Sequence, residues 1–300
     1  LDMELRQLRY FLAVAETLNF TRAAERLGMA QPPLSQQIRK LEASLGTPLF
    51  HRDRRSVTLT EAGEQFRSDV QRVLADLEAA RGQALATAAG TGGRLSVGFA
   101  GSAVFHPGVA QLMRTYRHRY PGVQIDPVES NTPTLAASIN NAELDCALVR
   151  LPFDLDHGRY RYEVLVEEDM RLVLPPGHAL ADRDDIALSE LSNDALILFP
   201  RSLGPKLYDS ILLKCQAAGV TPRLAQQSPQ ISSSINMVAA GFGVAIVPES
   251  IASVHAPGVS YHRLTGRPLV SGIALVCRAE EARPAVANLM AACKAIRGAL

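Results

Sequence analysis

The chain has 300 residues, 47% of them apolar, and a formal net charge of +1. It is too long for one typical domain and apolar enough for sizeable cores. Near-neutrality excludes a global basic field, although residues 1–60 carry nine Lys and Arg against six Asp and Glu, a local charge of +3.

From Met3 to Leu18, Leu5, Leu8, Phe11, Leu12 and Ala15 mark a first amphipathic helix. A second follows from Thr21, whose hydroxyl is a natural N-cap, with Phe20 ahead of it as a hydrophobic staple and Gly28 as its stop. A third is expected to start at Pro32 or Pro33, where a missing amide costs little. Leu34, Ile38, Leu41 and Leu45 form its apolar stripe. The opposite face carries Gln36, Arg39 and Lys40, with Ser35 beside them. A hydrophobic back with a long-armed Ser, Gln and Arg edge suits the major groove of DNA. Taken alone, the same face also fits an ordinary solvated surface.

After Gly46, extended pieces at Leu49–His51 and Ser56–Leu59 flank a turn with Asp53, Arg54 and Arg55. This predicts a hairpin with a basic tip, the wing of a winged helix-turn-helix, from which Arg52, Arg54 and Arg55 reach phosphates or an adjacent minor groove. Thr60 then caps a long helix expected to run to Ala88, roughly 40 Å at 1.5 Å per residue. Phe66, Val70, Val73, Leu77, Ala80 and Ala84 step 4-3-4-3-4 along it, a heptad seam. One narrow apolar stripe on a polar helix predicts pairing with a second copy, because groove-reading helices normally act in twos. The alternative is packing on its own domain. Residues 89–93, rich in glycine, read as a hinge.

Beyond the hinge, strands and helices alternate. Strands are expected at Leu95–Phe99, Val123–Val128, Leu144–Val149, Met170–Leu174, Ala195–Phe199, Arg223–Gln227, Val244–Val247, Val259–Leu264 and Leu269–Val276. Helices are expected at His106–Tyr120, Pro133–Asn141, Pro205–Ala218, Ser232–Ala240 and Ala282–Ile296. This many strands predicts two open α/β lobes, with ligands at helix N-termini beyond the strand ends.

Cys146, Cys215, Cys277 and Cys293 lie far apart without a CxxC pair, and no His stands at metal spacing. Reduced, buried thiols are expected, with no metal and no cofactor. The opening helix holds Arg6, Arg9 and Glu16, unlike a secretory leader, and the longest apolar run, Met237 to Pro248, is too short for a bilayer. A cytoplasmic location without membrane partners is therefore expected. GxSxG, HExxH, Walker-type and complete GxGxxG motifs are missing, and the seven histidines are scattered singly, so an enzyme is disfavoured. A solute-binding protein without a DNA role remains the rival reading, opposed by the N-terminal helical region.

Together, LRYFLAVAE, FTRAAERLGMAQPPLSQQIRKLEASLGTPLFHRDRRSVTLTEAG and VAAGFGVAIVP resemble the LysR-type transcriptional regulators over essentially the whole chain. The run Gln31-Pro32-Pro33-Leu34-Ser35 is similar to the branch controlling benzoate, muconate and chlorocatechol catabolism. The resemblance implies a winged helix-turn-helix over 3–59, a linker and dimerisation helix over 60–88 and a hinge at 89–93. An α/β effector domain like the periplasmic binding proteins would follow over 94–300. Its first lobe would comprise 94–162 and 267–300, its second 163–266. Gln31, Pro32, Pro33, Ser35, Gln36, Arg39 and Lys40 would face an inverted-repeat operator in double-stranded DNA, with Thr21 and the wing on phosphates. Relatives usually carry Arg where this chain has Gln36, and Gln prefers adenine to guanine edges.

The resemblance also implies a small-molecule effector between the lobes, first of all an aromatic or unsaturated carboxylate. Ser102 and Thr132 would meet its acid group, and short hydroxyls beside free amides do make an anion seat; the alternative for each is simple N-capping. Pro200, Arg201, Ser202 and Pro205 match a lining loop in relatives, and Gln227 and Ser228 another. Arg150 fits either a counter-charge for the acid or an interlobe salt bridge. RNA polymerase is the expected partner in transcription, and the self-assembly is a homodimer or a homotetramer built from two dimers.

Overall fold

The structure is a computed structural model describing residues 3–53 and 56–298, and its chain separates into two compact units, Leu1–Leu85 and Ala86–Leu300. The first unit opens with α1 (Leu5–Thr17), α2 (Phe20–Arg26) and α3 (Gln31–Leu45). The cap of α2 is Asn19 rather than Thr21: its side chain accepts from the Thr21 and Arg22 amides at 2.9 and 3.1 Å. Asn19 has extended backbone, as a cap requires, so the helix begins at Phe20 and Thr21 lies inside it. α3 starts one residue before its prolines, which occupy the first turn, and Gly46 at φ 69° ends it.

A short hairpin follows, β1 (Phe50–Arg52) antiparallel to β2 (Val57–Leu59), with Phe50 opposite Leu59. The expected contacts of Arg54 and Arg55 fall outside the described residues. Phe11, Val14, Leu34, Ile38, Leu41, Leu49, Phe50 and Val70 form the buried core. Burial is worth about 1.5–3 kcal/mol for each such side chain. The Phe11 ring lies 5.4 Å from Phe50 and 5.1 Å from Phe66.

Phe66 and Val70 stand on α4 (Glu61–Ala88), whose start is held by Thr60. The Thr60 hydroxyl accepts from the Gly63 amide at 3.0 Å and donates to the Pro48 carbonyl at 2.9 Å. Gly63 itself meets the hairpin so closely that a Cβ would stand 2.1 Å from the Leu49 carbonyl oxygen. The predicted seam therefore divides. Val70 is buried within its own unit and Phe66 packs against that core, because the first turns of α4 lie on it. Val73, Leu77, Ala80 and Ala84 are exposed.

The second unit contains, in chain order, β3 (Gly92–Ala100), α5 (Pro107–Arg119), β4 (Gly122–Ser130), α6 (Thr132–Asn140), β5 (Cys146–Leu151) and β6 (Tyr160–Leu174). It continues with β7 (Asp185–Ile186), β8 (Ala195–Ile197), α7 (Pro205–Ala217), β9 (Arg223–Leu224), α8 (Ser234–Ala239) and β10 (Val244–Pro248). β11 (Ser260–Leu264), β12 (Val270–Arg278) and α9 (Pro284–Arg297) complete it. The strands run β4-β3-β5-β12-β6-β10-β8-β9, with β11 and β7 joined to β6 off that path. β4, β3 and β5 are parallel, whereas β12 is antiparallel to both β5 and β6. One core gathers around β3, β5 and β12 with α5, α6 and α9; two more flank β8 and β10.

The hinge and the start of β6 differ most from expectation. Of the predicted hinge, Gly92 and Gly93 already belong to β3, paired with Gly122 and Val123, and the Gly90 carbonyl accepts from Asn288 at 3.1 Å. β6 begins ten residues before Met170 because Glu163, Glu167, Glu168 and Asp169 obscure the strand pattern of a segment whose hydrogen bonds go to β12. All four cysteines are free and buried, and burial raises the Cys293 thiol to about 12. Among the described residues, no group of His, Cys, Asp and Glu is arranged to hold a metal and no helix is long and apolar enough to cross a membrane.

Candidate functional site

In the first unit, α3 turns Leu34, Ile38 and Leu41 into the core and leaves Pro32, Pro33, Gln36, Arg39 and Lys40 exposed. Ser35 and Gln31 are half-buried beside them, and Thr21 on α2 is exposed. Among the described residues Arg39 and Lys40 have no ion-pair partner. Such a surface offers long donors to an acceptor-rich groove. Arg52 is differently placed. Its Nη2 lies 2.5 Å from Glu42 and its guanidinium 5.1 Å over the Phe20 ring. Glu42 also accepts from the Leu49 and Phe50 amides at 2.9 and 3.2 Å, so this pair ties the hairpin to α3.

The second unit contains a cavity of about 220 Å³ where the ends of β3 and β5 and the first turns of α6 and α7 converge. Phe153, Phe199, Leu203, Leu207 and Ile231 give it apolar walls. Ser102, Thr132 and Arg150 supply polar groups on one side. Asn131, not Thr132, caps α6, accepting from the Thr134 amide at 3.0 Å. The Thr132 hydroxyl is thereby released from capping and accepts instead from the Arg150 amide at 3.1 Å. The Arg150 side chain donates to the Ser102 hydroxyl at 3.3 Å and to the Ser102 carbonyl at 2.7 Å.

Arg150 also donates to Glu168 at 2.5 Å, and Glu168 accepts from the amide and hydroxyl of Ser250 at 2.5 and 3.0 Å. Burial pulls Arg150 below its ordinary range, and Glu168 opposes that shift, so the buried charge persists because its partners are in place. The sequence left two roles open for Arg150; the ion pair is formed, and Arg150 is among the residues that line the cavity as well. His106 near this network is held below the usual imidazole range, chiefly by burial, with Arg150 adding to that and Glu168 and Glu249 opposing it.

Of the effector candidates, the cavity lining takes in Ser102, Thr132, Arg150 and Pro205. Pro200, Arg201 and Ser202 stand just ahead of the lining segment, and Arg201 is occupied by Asp209 at 2.8 and 2.7 Å. Gln227 and Ser228 are off the lining too: the buried Ser228 hydroxyl donates to the Gln230 carbonyl at 2.6 Å. Gln230 and Ile231 line the cavity in their place. Sequence reasoning also missed Phe153, Asp154, Phe199 and Lys206, the last paired with Asp154. A lysine in the first turn of a helix that opens Gly-Pro was the available signal for Lys206.

Two family models match the chain. Residues 5–64 match the bacterial regulatory helix-turn-helix protein of the lysR family, and residues 88–296 match the LysR substrate binding domain. The chain is 44% identical over 276 residues to the HTH-type transcriptional regulator BudR of Raoultella terrigena, covering 92% of this chain and 95% of that one. It is 36% identical over 289 residues to the HTH-type transcriptional regulator IlvR of Caulobacter vibrioides, covering 96% of each. The crystal structure of full-length CbnR complexed with its target DNA superposes with a TM-score of 0.84 at 27% identity, over 98% of this chain and 100% of CbnR.

Proposed function

The chain belongs to the LysR family of transcriptional regulators, and we propose that α3 reads the major groove while a small organic acid in the cavity controls the protein. It is a DNA-binding regulator with an effector-binding domain and not an enzyme; the match over residues 5–64 removes the solute-binding rival. The contacts and the acid are the proposal.

One observation carries the effector reading. Ser102 and Thr132 both accept hydrogen bonds from Arg150, through its side chain and its amide. A hydroxyl that accepts still has its proton to give. The two protons are thus available to a carboxylate at the wall that holds the Arg150 charge, while the apolar walls take the organic body. An aromatic or unsaturated carboxylate satisfies both halves. The Gln31–Ser35 run, similar to the benzoate, muconate and chlorocatechol branch, supports testing those acids first.

For DNA, Ser35, Gln36 and Arg39 read bases, Lys40 and the wing meet phosphates, and Thr21 with Gln31 to Pro33 fixes the approach. Exposed Val73, Leu77, Ala80 and Ala84 pair with a second copy to match an inverted repeat, and two such dimers form the tetramer. Effector binding favours one arrangement of the cavity walls, which alters the spacing of the paired heads and the recruitment of RNA polymerase in the cytoplasm.

The test is thermal shift with benzoate and cis,cis-muconate beside their neutral amides, followed by footprinting on the intergenic DNA upstream of the gene. The acids should raise Tm, the amides should not, and Ser102→Ala should abolish the shift. Equal shifts with acids and amides, or footprints that are identical with and without a bound acid, count against the reading.

A further inference from the structure

Gln37 is outside the set of residues that the sequence assigns to DNA. It nevertheless stands four residues after Pro33 and three before Lys40, so these three share one edge of α3. Pro33 and Lys40 are exposed, and Gln37 is half-buried. On its inner side lies Gln7 of α1, a buried residue whose Nε2 donates to Gln37 Oε1 at 3.2 Å.

The two ends of a Gln amide have nearly the same shape, so its orientation follows from its partners. One partner in this chain has no freedom. The backbone N–H of Glu4 is only a donor, and it donates to Gln7 Oε1 at 3.2 Å. The carbonyl end of Gln7 is thereby fixed, its NH2 end faces α3, and the Gln37 carbonyl must accept. Among the described residues the Gln37 NH2 has no partner. It is the end left for a partner outside the protein.

We infer that Gln37 contacts DNA as a donor whose polarity is set by Gln7, and so selects a base with a major-groove keto oxygen, guanine O6 or thymine O4. Cytosine presents only its N4 amino group at that edge, and adenine offers a lone donor nothing but N7 beside its N6 amino group, so neither supplies a keto oxygen. An unconstrained Gln favours adenine because it offers a donor and an acceptor together. The carbonyl end of Gln37 is held on Gln7, which leaves the NH2 end for a base. Gln7 touches no base and acts as a positioning residue for a neighbour that does. The inference rests on α3 being the groove helix.

The experiment selects binding sites from a randomised duplex library with the full-length protein, its Gln7→Glu, Gln37→Glu and Gln7→Met variants, and Arg39→Ala. In Gln7→Glu the new carboxylate still accepts from the Glu4 amide but can only accept from Gln37 as well. Gln37 must then turn its NH2 inward and present its oxygen to the groove. Preference at one position of each half-site should move from guanine or thymine to adenine or cytosine, by about tenfold, as expected for one polar base contact. Gln7→Met, which frees Gln37, should flatten that position alone. Gln37→Glu alters only a half-buried side chain, keeps the test valid if Gln7→Glu does not fold, and should remove the keto preference. Unchanged preferences in these variants overturn the inference, as does a uniform loss of affinity over all sequences, the mark of a phosphate contact. Arg39→Ala separates the two levels. A selected site that it alters while the glutamine variants do not sinks only the role of Gln37; a site that none of them alters removes α3 as the reading helix.

Discussion

Arg150 Nη1 lies 2.5 Å from Glu168 Oε1, with the two side chains only 4% and 5% accessible. Two charges this deeply buried depend on each other, and Ser102 and Ser250 satisfy further valences of the pair.

Glu168→Ala should destabilise the protein by about 3–5 kcal/mol, because it strands a buried guanidinium. Replacing both partners, Arg150→Met with Glu168→Leu, should cost less than the single change. Urea unfolding of both variants checks the order. A single variant as stable as the wild type contradicts the mutual dependence.

Thr132→Val removes the acceptor of the Arg150 amide and should cost about 1–3 kcal/mol, whereas Thr132→Ser should retain most of that. If the Thr132 hydroxyl also serves the effector, Ser at this position keeps an acid-induced rise in Tm and Val loses it.

His106 caps α5 through its ring, with Nδ1 accepting from the Gly108 amide at 3.0 Å, a contact that requires that nitrogen unprotonated. Burial first, and Arg150 with it, lowers its pKa from 6.5 against Glu168 and Glu249. A depressed pKa in the folded state means the unfolded chain binds the proton first. The contribution is therefore complete above about pH 6.5 and is lost as pH falls through the folded value. His106→Asn supplies a non-titrating cap, and it should match the wild type at pH 8 while losing less stability by pH 5. Parallel acid slopes in urea titrations would mean that His106 contributes nothing to the pH dependence.

Arg39→Ala should reduce discrimination between operator and random DNA by about 1–3 kcal/mol if Arg39 makes a bidentate base contact. Competition binding at fixed salt measures it, and an equal loss on both DNAs assigns Arg39 to phosphate.

Leu77→Glu should weaken self-association tenfold or more, since burying one Leu is worth about 1.5–3 kcal/mol. Sedimentation equilibrium reads this directly. Wild-type behaviour of the variant places the contact between copies elsewhere.

The fold class was legible because it depends on period: the 4-3-4 stripe of Leu34, Ile38, Leu41 and Leu45, then alternating strands and helices. Local competition was harder to read. Asn19 takes the cap expected of Thr21, and Phe66 and Val70 are used by their own core although they continue a heptad seam with Val73. Period alone does not say which neighbour a stripe meets. In the cavity, Ser102, Thr132 and Pro205 follow strands or start helices, where sequence has punctuation. Gln230 reaches the same space through loop geometry, which no spacing rule encodes. The Gln7 to Gln37 contact joins residues thirty apart on different helices, so only coordinates could reveal it.

β6 runs unbroken from Tyr160 to Leu174, giving Leu165 to the core around β12 and Leu172 and Leu174 to the one around β8 and β10. Melting either core would strip the shared strand of half its hydrogen bonds and expose the other. Residues 94–300 should accordingly absorb heat in one cooperative transition rather than two. Whatever a ligand does to either half is then registered in the thermal strength of both.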